Sequence, residues 1–343
     1  MTAKVVTFGE IMLRLSPPGF ERLFQSPTLV ATFGGGEANV AVSLAQFGLD
    51  SWYVTRLPKN PVGDAAITLL RGEGVRTDLI ARGGDRVGIY FAESGASQRA
   101  SVVVYDRARS AISEMTPGTI DWARAFDGAS WFHVTGITPA LGPNAVACTS
   151  EAVAAAKQAG ARVSVDLNFR KKLWSESAAQ HVMRPLMAHT DVVIANEEDI
   201  QAVLGFRVAN ADVVGGHLEI ESYRAVAQKI TRELGPSMVA VTLRESTSAS
   251  DNGWSAVLWD GDANQFHQSQ RYALRLVDRI GGGDSFAAGL IYGLVTGRSP
   301  ADSLRFAVAA SALKHSIPGD FNRVSVDEVD RLAAGDASGR VQR

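Results

Sequence analysis

The chain reads DRIGGGDSFAAG from Asp278 to Gly289. Three glycines come directly before an amphipathic run, a pattern that predicts a loop of bare backbone opening a helix. The unpaired N–H groups and the dipole at a helix N-terminus favour an anion. Gly281, Gly282 and Gly283 are therefore predicted to bind a phosphate, with Asp284 in the first helical turn beside it.

Two interpretations of Asp284 follow from this position. A carboxylate beside a bound phosphoryl group can accept the proton of an attacking hydroxyl, because positioning and charge neutralisation do most of the catalysis of phosphoryl transfer. Alternatively, Asp284 or Ser285 is an ordinary N-cap that follows a glycine turn. Both interpretations stay open on this motif alone.

Strand-like and helix-like segments alternate on either side of this motif. The predicted strands are Val5–Gly9, Ser51–Thr55, Ala129–Val134, Arg162–Asp166, Asp191–Ala195 and Met238–Thr242. The predicted helices are Glu37–Phe47, Gly63–Gly72, Asn144–Ala159, Ser177–His189, Ser222–Leu234, Ser285–Thr296 and Ala301–His315. This alternation predicts an α/β fold with a mostly parallel sheet, in which ligands bind at the carboxyl ends of the strands.

Two segments interrupt the alternation. Residues 13–33 hold prolines and aromatics without a helical period, and residues 86–111 alternate as two strands. Together they predict a small β-sheet beside the main one, which would serve as a lid over the site or as a hairpin for dimer contact. We expect residues 1–332 to form one domain and 333–343, which lack an apolar anchor, to form a flexible tail.

A second glycine cluster lies near the N-terminus. The chain reads FGGGEANVA from Phe33 to Ala41, so that Gly34 and Gly35 allow a close approach of the backbone and Asn39 offers a donor and an acceptor for hydroxyls. The cluster lacks the spacing of a dinucleotide fingerprint and does not follow the first strand directly. An oxidoreductase is therefore a remote alternative.

Polar residues follow two further strands. Asp166, Asn168 and Arg170 alternate after one strand, so they would point to one side of an extended segment. Arg170 carries a planar fork suited to a carboxylate, although a structural Asp–Arg pair explains the same spacing. Asn196 and Asp199 open a helix after the next strand, where acidic residues either complement the helix dipole or hold a hydrated Mg²⁺.

Composition narrows the classes of function. The chain has 343 residues, 46% hydrophobic and 20% charged, and a formal net charge of -2 without a basic run, which argues against a nucleic-acid partner. Cys148 is the single cysteine, so an internal disulfide and a thiol metal cluster are excluded. The start has no signal-peptide pattern and no apolar run is long enough for a bilayer, so we expect a cytoplasmic enzyme without a membrane partner.

These motifs, in this order, resemble the PfkB (ribokinase-like) carbohydrate kinase family from about Lys4 to Val329. The Gly34-Gly35-xxx-Asn39 element is similar to the family's N-terminal signature, and residues 278–284 are similar to its C-terminal signature. The resemblance implies a three-layer α/β/α fold with a mostly parallel central sheet and a small β-sheet lid that often mediates dimerisation. It also implies ATP and Mg²⁺ as cofactors, an anion hole over residues 281–284, and Asp284 as the base.

Within the family, the chain is most similar to kinases of 2-keto-3-deoxygluconate (2-dehydro-3-deoxy-D-gluconate, KDG), which implies phosphorylation of this sugar acid to its 6-phosphate. The similarity rests on Gly9-Glu10-Ile11-Met12, on YDRARSA at residues 105–111, and on Asp166-x-Asn168-x-Arg170 with Leu173-Trp174. It implies that Arg170, with Arg107, meets the sugar acid. The remaining implied residues are Gly34, Gly35, Asn39, Tyr90, Tyr105 and Asp166 for the sugar, and Asn196, Thr242, Arg244, Gly281 and Gly283 for the nucleotide.

The sequence departs from the family pattern at three places. Arg244 stands where most relatives have glycine in a loop that borders the nucleotide, which leaves the mode of ATP binding open. Asp199 replaces the glutamate of the Asn-xx-Glu motif and would reach magnesium through water. Arg279 and Ile280 replace the usual Thr-Thr pair near a monovalent-cation site, so the need for such a cation is open.

The predicted partners are therefore a sugar acid and a nucleotide, with a homo-oligomer, dimer or higher, expected from the lid. Two alternatives remain: a kinase of the same family for fructose or another hexose or sugar acid, and a non-catalytic sugar-acid sensor with an altered nucleotide loop.

Overall fold

The computed structural model describes residues 2–207 and 220–336. Its strands are β1 Lys4–Phe8, β2 Met12–Ser16, β3 Val30–Gly34, β4 Asp50–Val54, β5 Arg56–Leu57, β6 Ala81–Arg82, β7 Gly88–Glu93, β8 Val102–Asp106, β9 Ala129–Thr135, β10 Arg162–Asp166, β11 Val192–Ala195, β12 Met238–Ser246, β13 Asp251–Asp260, β14 Gln265–Gln268 and β15 Tyr272–Arg275. Its helices are α1 Gly36–Gln46, α2 Pro61–Gly72, α3 Trp122–Phe126, α4 Pro143–Gln158, α5 Glu176–Met187, α6 Glu197–Asp199, α7 Ile220–Leu234, α8 Gly282–Val295, α9 Pro300–Lys314 and α10 Val326–Ala333.

The central sheet has the order β14-β13-β12-β11-β10-β9-β1-β4, with β15 also paired to β13. The six strands from β4 to β12 are parallel to one another, and β13, β14 and β15 add an antiparallel edge. The carboxyl ends of the parallel strands therefore meet at one edge of the sheet, where ligands of α/β proteins bind.

Helices cover both faces of this sheet. Val5 and Trp131 pack with α1, α8 and α9 in one apolar cluster, whereas Val6 and Phe132 pack with α4, α5 and α7 in another. Neighbouring residues of a strand point to opposite faces, so a strand that is apolar at successive positions must be covered twice. The result is the predicted three-layer α/β/α architecture.

Several helices begin at the signals that the sequence carries. The Asn60 side chain accepts a hydrogen bond from Gly63 N at 3.0 Å ahead of α2, and Ser299 accepts one from Asp302 N at 3.1 Å ahead of α9. Both helices have proline at their first position, where the missing N–H is not needed. Ser325 forms a capping box with Glu328 at the start of α10.

A second sheet of four strands, in the order β3-β2-β7-β8, lies apart from the central one, and we call it the lid sheet. β2 pairs in parallel with β7, and the outer pairs are antiparallel. Its strands come from the two segments that interrupt the α/β alternation, as predicted. Residues of the lid sheet and of the central sheet line one cleft between them.

The predicted central elements are confirmed, with ends that differ by a few residues. One expectation was wrong: the segment that holds Arg244 was expected to be a loop, but it is one strand of a β-hairpin, because β12 continues to Ser246 and pairs with β13. The division into a domain of residues 1–332 and a tail of 333–343 stays a prediction, and residues 337–343 of that tail lie outside the described residues. Within residues 2–207 and 220–336, no helix combines the length and apolarity needed to cross a membrane.

Candidate active site

A cleft of about 330 Å³ lies between the lid sheet and the carboxyl ends of the parallel strands. A wider groove of about 1170 Å³ opens beside it and shares Tyr105, Arg107 and Arg170. The cleft brings together all the predicted site residues except two: Gly35, Asn39, Tyr90, Tyr105, Arg107, Asp166, Arg170, Asn196, Asp199, Thr242, Arg244, Gly281, Gly283 and Asp284. Residues that are far apart in sequence thus form one site.

The two exceptions, Gly34 and Gly282, are packed against neighbouring side chains. A Cβ at Gly34 would lie 2.0 Å from a carboxylate oxygen of Asp320, and one at Gly282 would lie 2.4 Å from the His315 ring. Both glycines are needed for close packing beneath the cleft. Since glycine offers a ligand only its backbone, the roles of Gly34 and Gly282 in binding sugar and phosphate stay predictions.

The glycine loop adopts the geometry of an anion site. Gly281 precedes α8 with φ 85°, and a Cβ there would lie 2.1 Å from the carbonyl oxygen of Asp320. Glycine is required at this position for both reasons. A Cβ at Gly283 would meet nothing within 4 Å, so this part of the loop is open. The first N–H groups of α8 have no acceptor within the helix and are available to a phosphate.

Asp284 lies in the first turn of α8, and no side chain caps this helix. The interpretation of Asp284 or Ser285 as its N-cap is therefore wrong. Asn39 donates a hydrogen bond from Nδ2 to Asp284 Oδ2 at 2.7 Å. Burial raises the pKa of Asp284 to about 6, an effect that the Asn39 hydrogen bond opposes. The group is mostly ionised at neutral pH and can accept a proton there.

Asn39 orients Asp284 more than it offers free groups to a ligand. Its Oδ1 accepts a hydrogen bond from Gly35 N at 3.2 Å, and its Nδ2 donates to Asp284.

Glu37, which sequence reasoning did not select, fixes helix α1: its Oε1 accepts hydrogen bonds from Thr135 N, Thr135 Oγ1 and Thr138 Oγ1 at 2.7–2.8 Å. Burial raises the pKa of Glu37 to about 7. The sequence did contain a signal for Glu37, which is a charged residue among small and apolar residues at the start of a predicted helix.

Two further acidic residues, Asp166 and Asp199, line the cleft. Asp166 ends β10 and accepts a hydrogen bond from Asn168 N at 3.1 Å, and Asp199 accepts one from Phe169 N at 3.0 Å. Burial raises the pKa of both groups, that of Asp199 to about 6, and the charges of Asp199 and Asp284 raise that of Asp166 further. Each carboxylate retains an oxygen without a hydrogen-bond donor among the described residues.

The two arginines expected to meet a sugar acid have different surroundings. Arg107 is buried and forms an ion pair with Glu10, in which its Nε donates to Glu10 Oε2 at 2.8 Å. Arg170 donates only to the carbonyl oxygen of Phe169, at 3.1 Å, and has no carboxylate within 4 Å in the described part of the chain. The structural Asp166–Arg170 pair is therefore not formed. Of these two arginines, Arg170 is the one whose guanidinium has no carboxylate partner among the described residues.

A buried network beneath the cleft was also missed by sequence reasoning. Arg14 from the lid sheet contacts Asp278 at 2.7 Å and Asp320 at 2.8 Å, and the hydroxyl of Tyr90 donates to Asp320 at 2.6 Å. Tyr90 is thus held by Asp320, whereas Tyr105 is partly exposed beside it. Asp278 also accepts a hydrogen bond from Ile280 N at 3.0 Å. The network ties the lid sheet to the glycine loop.

Arg244 lies opposite Trp254 in the β12–β13 hairpin, with its guanidinium 5.4 Å from the centre of that ring. Burial, together with the charges of Arg279 and Arg170, lowers the pKa of Arg244 to about 10. Neither Arg244 nor Arg279 has a hydrogen-bond or ion-pair partner among the described residues, and the Nε atoms of both are shielded from solvent. Two unpaired guanidinium groups therefore line the cleft together.

The polar groups of the cleft suit both implied cofactors, ATP and Mg²⁺. The glycine loop, Arg244 and Arg279 supply N–H donors and positive charge for a polyphosphate. The described residues contain no group of three or more His, Cys, Asp or Glu that could hold a metal by itself. The free oxygens of Asp166 and Asp199 nonetheless suit Mg²⁺, which binds through one or two carboxylates, phosphate oxygens and water.

Comparison with protein families identifies the class. Residues 2–323 match the family described as pfkB family carbohydrate kinase. The chain therefore belongs to the pfkB family of carbohydrate kinases, as the two glycine motifs predicted.

Three relatives narrow the comparison. A crystal structure of 2-dehydro-3-deoxygluconokinase from Thermotoga maritima superposes with a TM-score of 0.93 at 52% identity, covering 97% of this chain and 100% of that one. The 2-dehydro-3-deoxygalactonokinase of Haloferax volcanii is 33% identical over 99% of both chains. The 2-dehydro-3-deoxygluconokinase of Bacillus subtilis is 27% identical, over 96% of this chain and 94% of its own.

Proposed function

We propose that this protein transfers the γ-phosphoryl group of ATP to the 6-hydroxyl of 2-dehydro-3-deoxy-D-gluconate. The observation that carries the choice of a sugar acid is the unpaired fork of Arg170, in the same cleft as Asp284. A fixed carboxylate on the substrate is a suitable partner for a planar guanidinium. The names of the relatives from Thermotoga maritima and Bacillus subtilis support the same sugar.

Each group of residues in the cleft has its own role in phosphoryl transfer. Arg170 binds the substrate carboxylate, and Asp284 accepts the proton of the primary hydroxyl as it attacks the γ-phosphorus. The backbone N–H groups of residues 281–284 hold the transferred group, where charge develops in the transition state. Arg244 and Arg279 bind the remaining phosphates. Mg²⁺, when bound near Asp199, supplies positive charge that offsets the charge of the phosphate oxygens.

The C4 epimer of this sugar acid is a second candidate, favoured by one observation. The relative from Haloferax volcanii, 33% identical over 99% of both chains, is named for the galacto form. The two substrates share the carboxylate and the primary hydroxyl, so Arg170 and Asp284 would act alike on both. Discrimination would depend on contacts to the C4 hydroxyl.

A coupled ADP-release assay tests the proposal. The panel contains KDG, its C4 epimer, gluconate and fructose, each with ATP and Mg²⁺. We expect the two 2-keto-3-deoxy acids to have kcat/KM at least about 30-fold above fructose, because fructose leaves Arg170 without a charged partner.

Two controls accompany the panel. ATP without sugar measures background hydrolysis, and Asp284→Asn measures turnover that does not use the proposed base. Preference for fructose would transfer the proposal to the hexose kinases of the family. ATP and sugar binding without turnover of any panel member would favour the sugar-acid sensor.

The lid sheet supports a proposal of homo-oligomer formation. Val102 and Val104 lie on β8, an edge strand of the lid sheet, and are 41% and 47% exposed. Apolar side chains on an exposed edge strand are suited to pairing with a second copy. Light scattering of the wild type and of Val104→Glu would test this, with a smaller assembly expected for the variant. The cytoplasmic location stays a prediction.

A further inference from the structure

Lys314 is the last residue of α9, and its side chain is fully buried, with 0% exposure. Its Nζ donates one hydrogen bond, to the carbonyl oxygen of Ile317 at 3.1 Å. Within residues 2–207 and 220–336, no carboxylate oxygen lies within 4 Å of this ammonium group. Lysine is almost never buried completely without a paired charge, because desolvation of the ammonium is costly. Packing of α9 alone does not explain this residue.

The position of Lys314 relates it to the glycine loop. A Cβ added to Gly281 would lie 3.1 Å from Lys314 Cε, so the lysine chain passes directly against the loop. Lys314 does not line the cleft, and a ligand there would meet the loop rather than the lysine. Any effect of its charge on a bound phosphate must therefore act through the loop and the field around it.

The charges around the loop show what Lys314 does there. Three carboxylates lie around the glycine loop: Asp278 and Asp320, which Arg14 bridges at 2.7 and 2.8 Å, and Asp284. Burial lowers the pKa of Lys314, while Asp278, Asp320 and Asp284 act in the opposite direction and favour its charged form. Arg14 pairs with Asp278 and Asp320, and the charge of Arg170 acts on Asp284. Removal of Lys314 therefore leaves these carboxylates with less positive charge beside the loop, and an incoming phosphate would meet more repulsion.

We propose that Lys314 is a positioning residue whose ammonium group serves as the built-in counter-cation of the glycine loop. Its charge lets the loop hold a phosphoryl group beside Asp278, Asp320 and Asp284 without a monovalent cation from solution. This inference rests on the proposed kinase function. Lys314→Ala should leave a space beside the Ile317 carbonyl oxygen and Gly281, within the influence of the charges of Asp278, Asp320 and Asp284, which a small cation can enter.

Four proteins are assayed, each with the sugar that the wild type phosphorylates with the highest kcat/KM. They are the wild type, Lys314→Met, Lys314→Ala and the control Lys157→Met. Lys157 pairs with the partly exposed Asp191 and is outside the cleft, so its loss removes one positive charge without touching the site. Each is assayed with potassium, with methylammonium, and with tetramethylammonium as the only monovalent cation. Thermal melting of each variant is measured in the same buffers.

The wild type and Lys157→Met should change by less than about twofold between potassium and tetramethylammonium. Lys314→Met should lose about 10- to 100-fold in kcat, approaching the loss of one donor from an oxyanion hole, with little change in the KM of the sugar. Lys314→Ala should lose as much in tetramethylammonium and regain at least about fivefold with potassium or methylammonium. A merely structural lysine would not produce this rescue.

Calorimetric titration with a non-hydrolysable ATP analogue gives a readout that needs no turnover. We expect affinity to fall about tenfold in Lys314→Met and to stay unchanged in Lys157→Met. The inference is overturned if wild-type activity falls more than about tenfold without potassium, or if Lys314→Met keeps kcat within threefold. It is also overturned if Lys314→Ala is inactive with a lowered melting temperature and no cation restores it. If the wild type binds the analogue but phosphorylates no panel sugar, the proposed function is wrong. The titration alone would then test the role of Lys314 in phosphate binding.

Discussion

Replacement of Arg170 by alanine should separate acid substrates from neutral ones. The Arg170 fork is exposed and hydrogen-bonded only to its own loop, so truncation breaks no ion pair and creates no cavity in the free enzyme. The loss therefore arises in the complex. A hydrogen-bonded pair with a charged group contributes about 1.5–3 kcal/mol, and an exposed partner takes the lower part of that range. About 2 kcal/mol corresponds to a fall of about 30-fold in kcat/KM for KDG.

The same substitution has a second effect that must be removed from the comparison. The charge of Arg170 helps to lower the pKa of Asp284, so its loss raises that pKa further above the ordinary value. This effect is the same for every substrate. Assays at about pH 8, where Asp284 stays ionised, reduce it, and fructose as a slow neutral substrate measures what remains. We expect fructose to lose only about threefold, the cost of one ordinary hydrogen bond.

Two further variants complete this experiment. Arg170→Lys should recover part of the loss, because an ammonium keeps the charge but not the fork. Lys172→Ala is the matched control. Lys172 is on the same loop and lines the wider groove but not the cleft, so kcat/KM for both substrates should stay within about twofold of wild type. Equal losses for KDG and fructose in Arg170→Ala would refute the reasoning. Arg170 would then shape the site, and Arg107 would become the candidate for the carboxylate.

Three other predictions follow from the geometry of the cleft. Asp284→Asn should lower kcat by at least about 10²-fold, measured by ADP release, while calorimetry shows sugar binding nearly unchanged; kinetics within a few-fold of wild type would remove Asp284 from the mechanism. Because the ionised form of Asp284 is the base and its pKa is raised to about 6, kcat/KM should fall as the pH drops below about 6 and level off above it; a profile flat down to pH 4.5 or so would contradict this. Arg244→Ala should weaken ATP–Mg²⁺ binding about 10-fold by calorimetry, since Arg244 has no hydrogen-bond or ion-pair partner within the described residues; tighter binding would mean that Arg244 obstructs the nucleotide.

Sequence periodicity was sufficient for the elements that build the central sheet. The parallel strands are apolar over successive residues, and the long helices carry clear caps and glycine stops, so β10 at Arg162–Asp166 was predicted to the residue. The β12–β13 hairpin was missed, because the polar residues around Ser246 and Asn252 are typical of a loop. Pairing across the hairpin, which sequence periodicity does not contain, extends these strands.

The same division holds for the site. The glycine loop and Asp284 are contiguous in sequence, so their geometry follows from local rules of backbone and helix dipole. The bridge from Arg14 to Asp320 joins residues 306 positions apart, and only the folded chain brings them together. Lys314 had a signal that was overlooked. It follows the buried Phe306 and Ala310 at intervals of four, and thus lies on the apolar face of the predicted helix.

The most direct test of the central claim is the position of the phosphate in the product. Wild type and Asp284→Asn are incubated with ATP, Mg²⁺ and KDG labelled with ¹³C at C6, and phosphorus and carbon NMR spectra follow the reaction. The account predicts a new phosphoester signal coupled to the labelled C6, formed by the wild type and at least about 10²-fold more slowly by Asp284→Asn. Release of inorganic phosphate without a sugar phosphate, a phosphoester uncoupled from C6, or equal rates in the two proteins would contradict it.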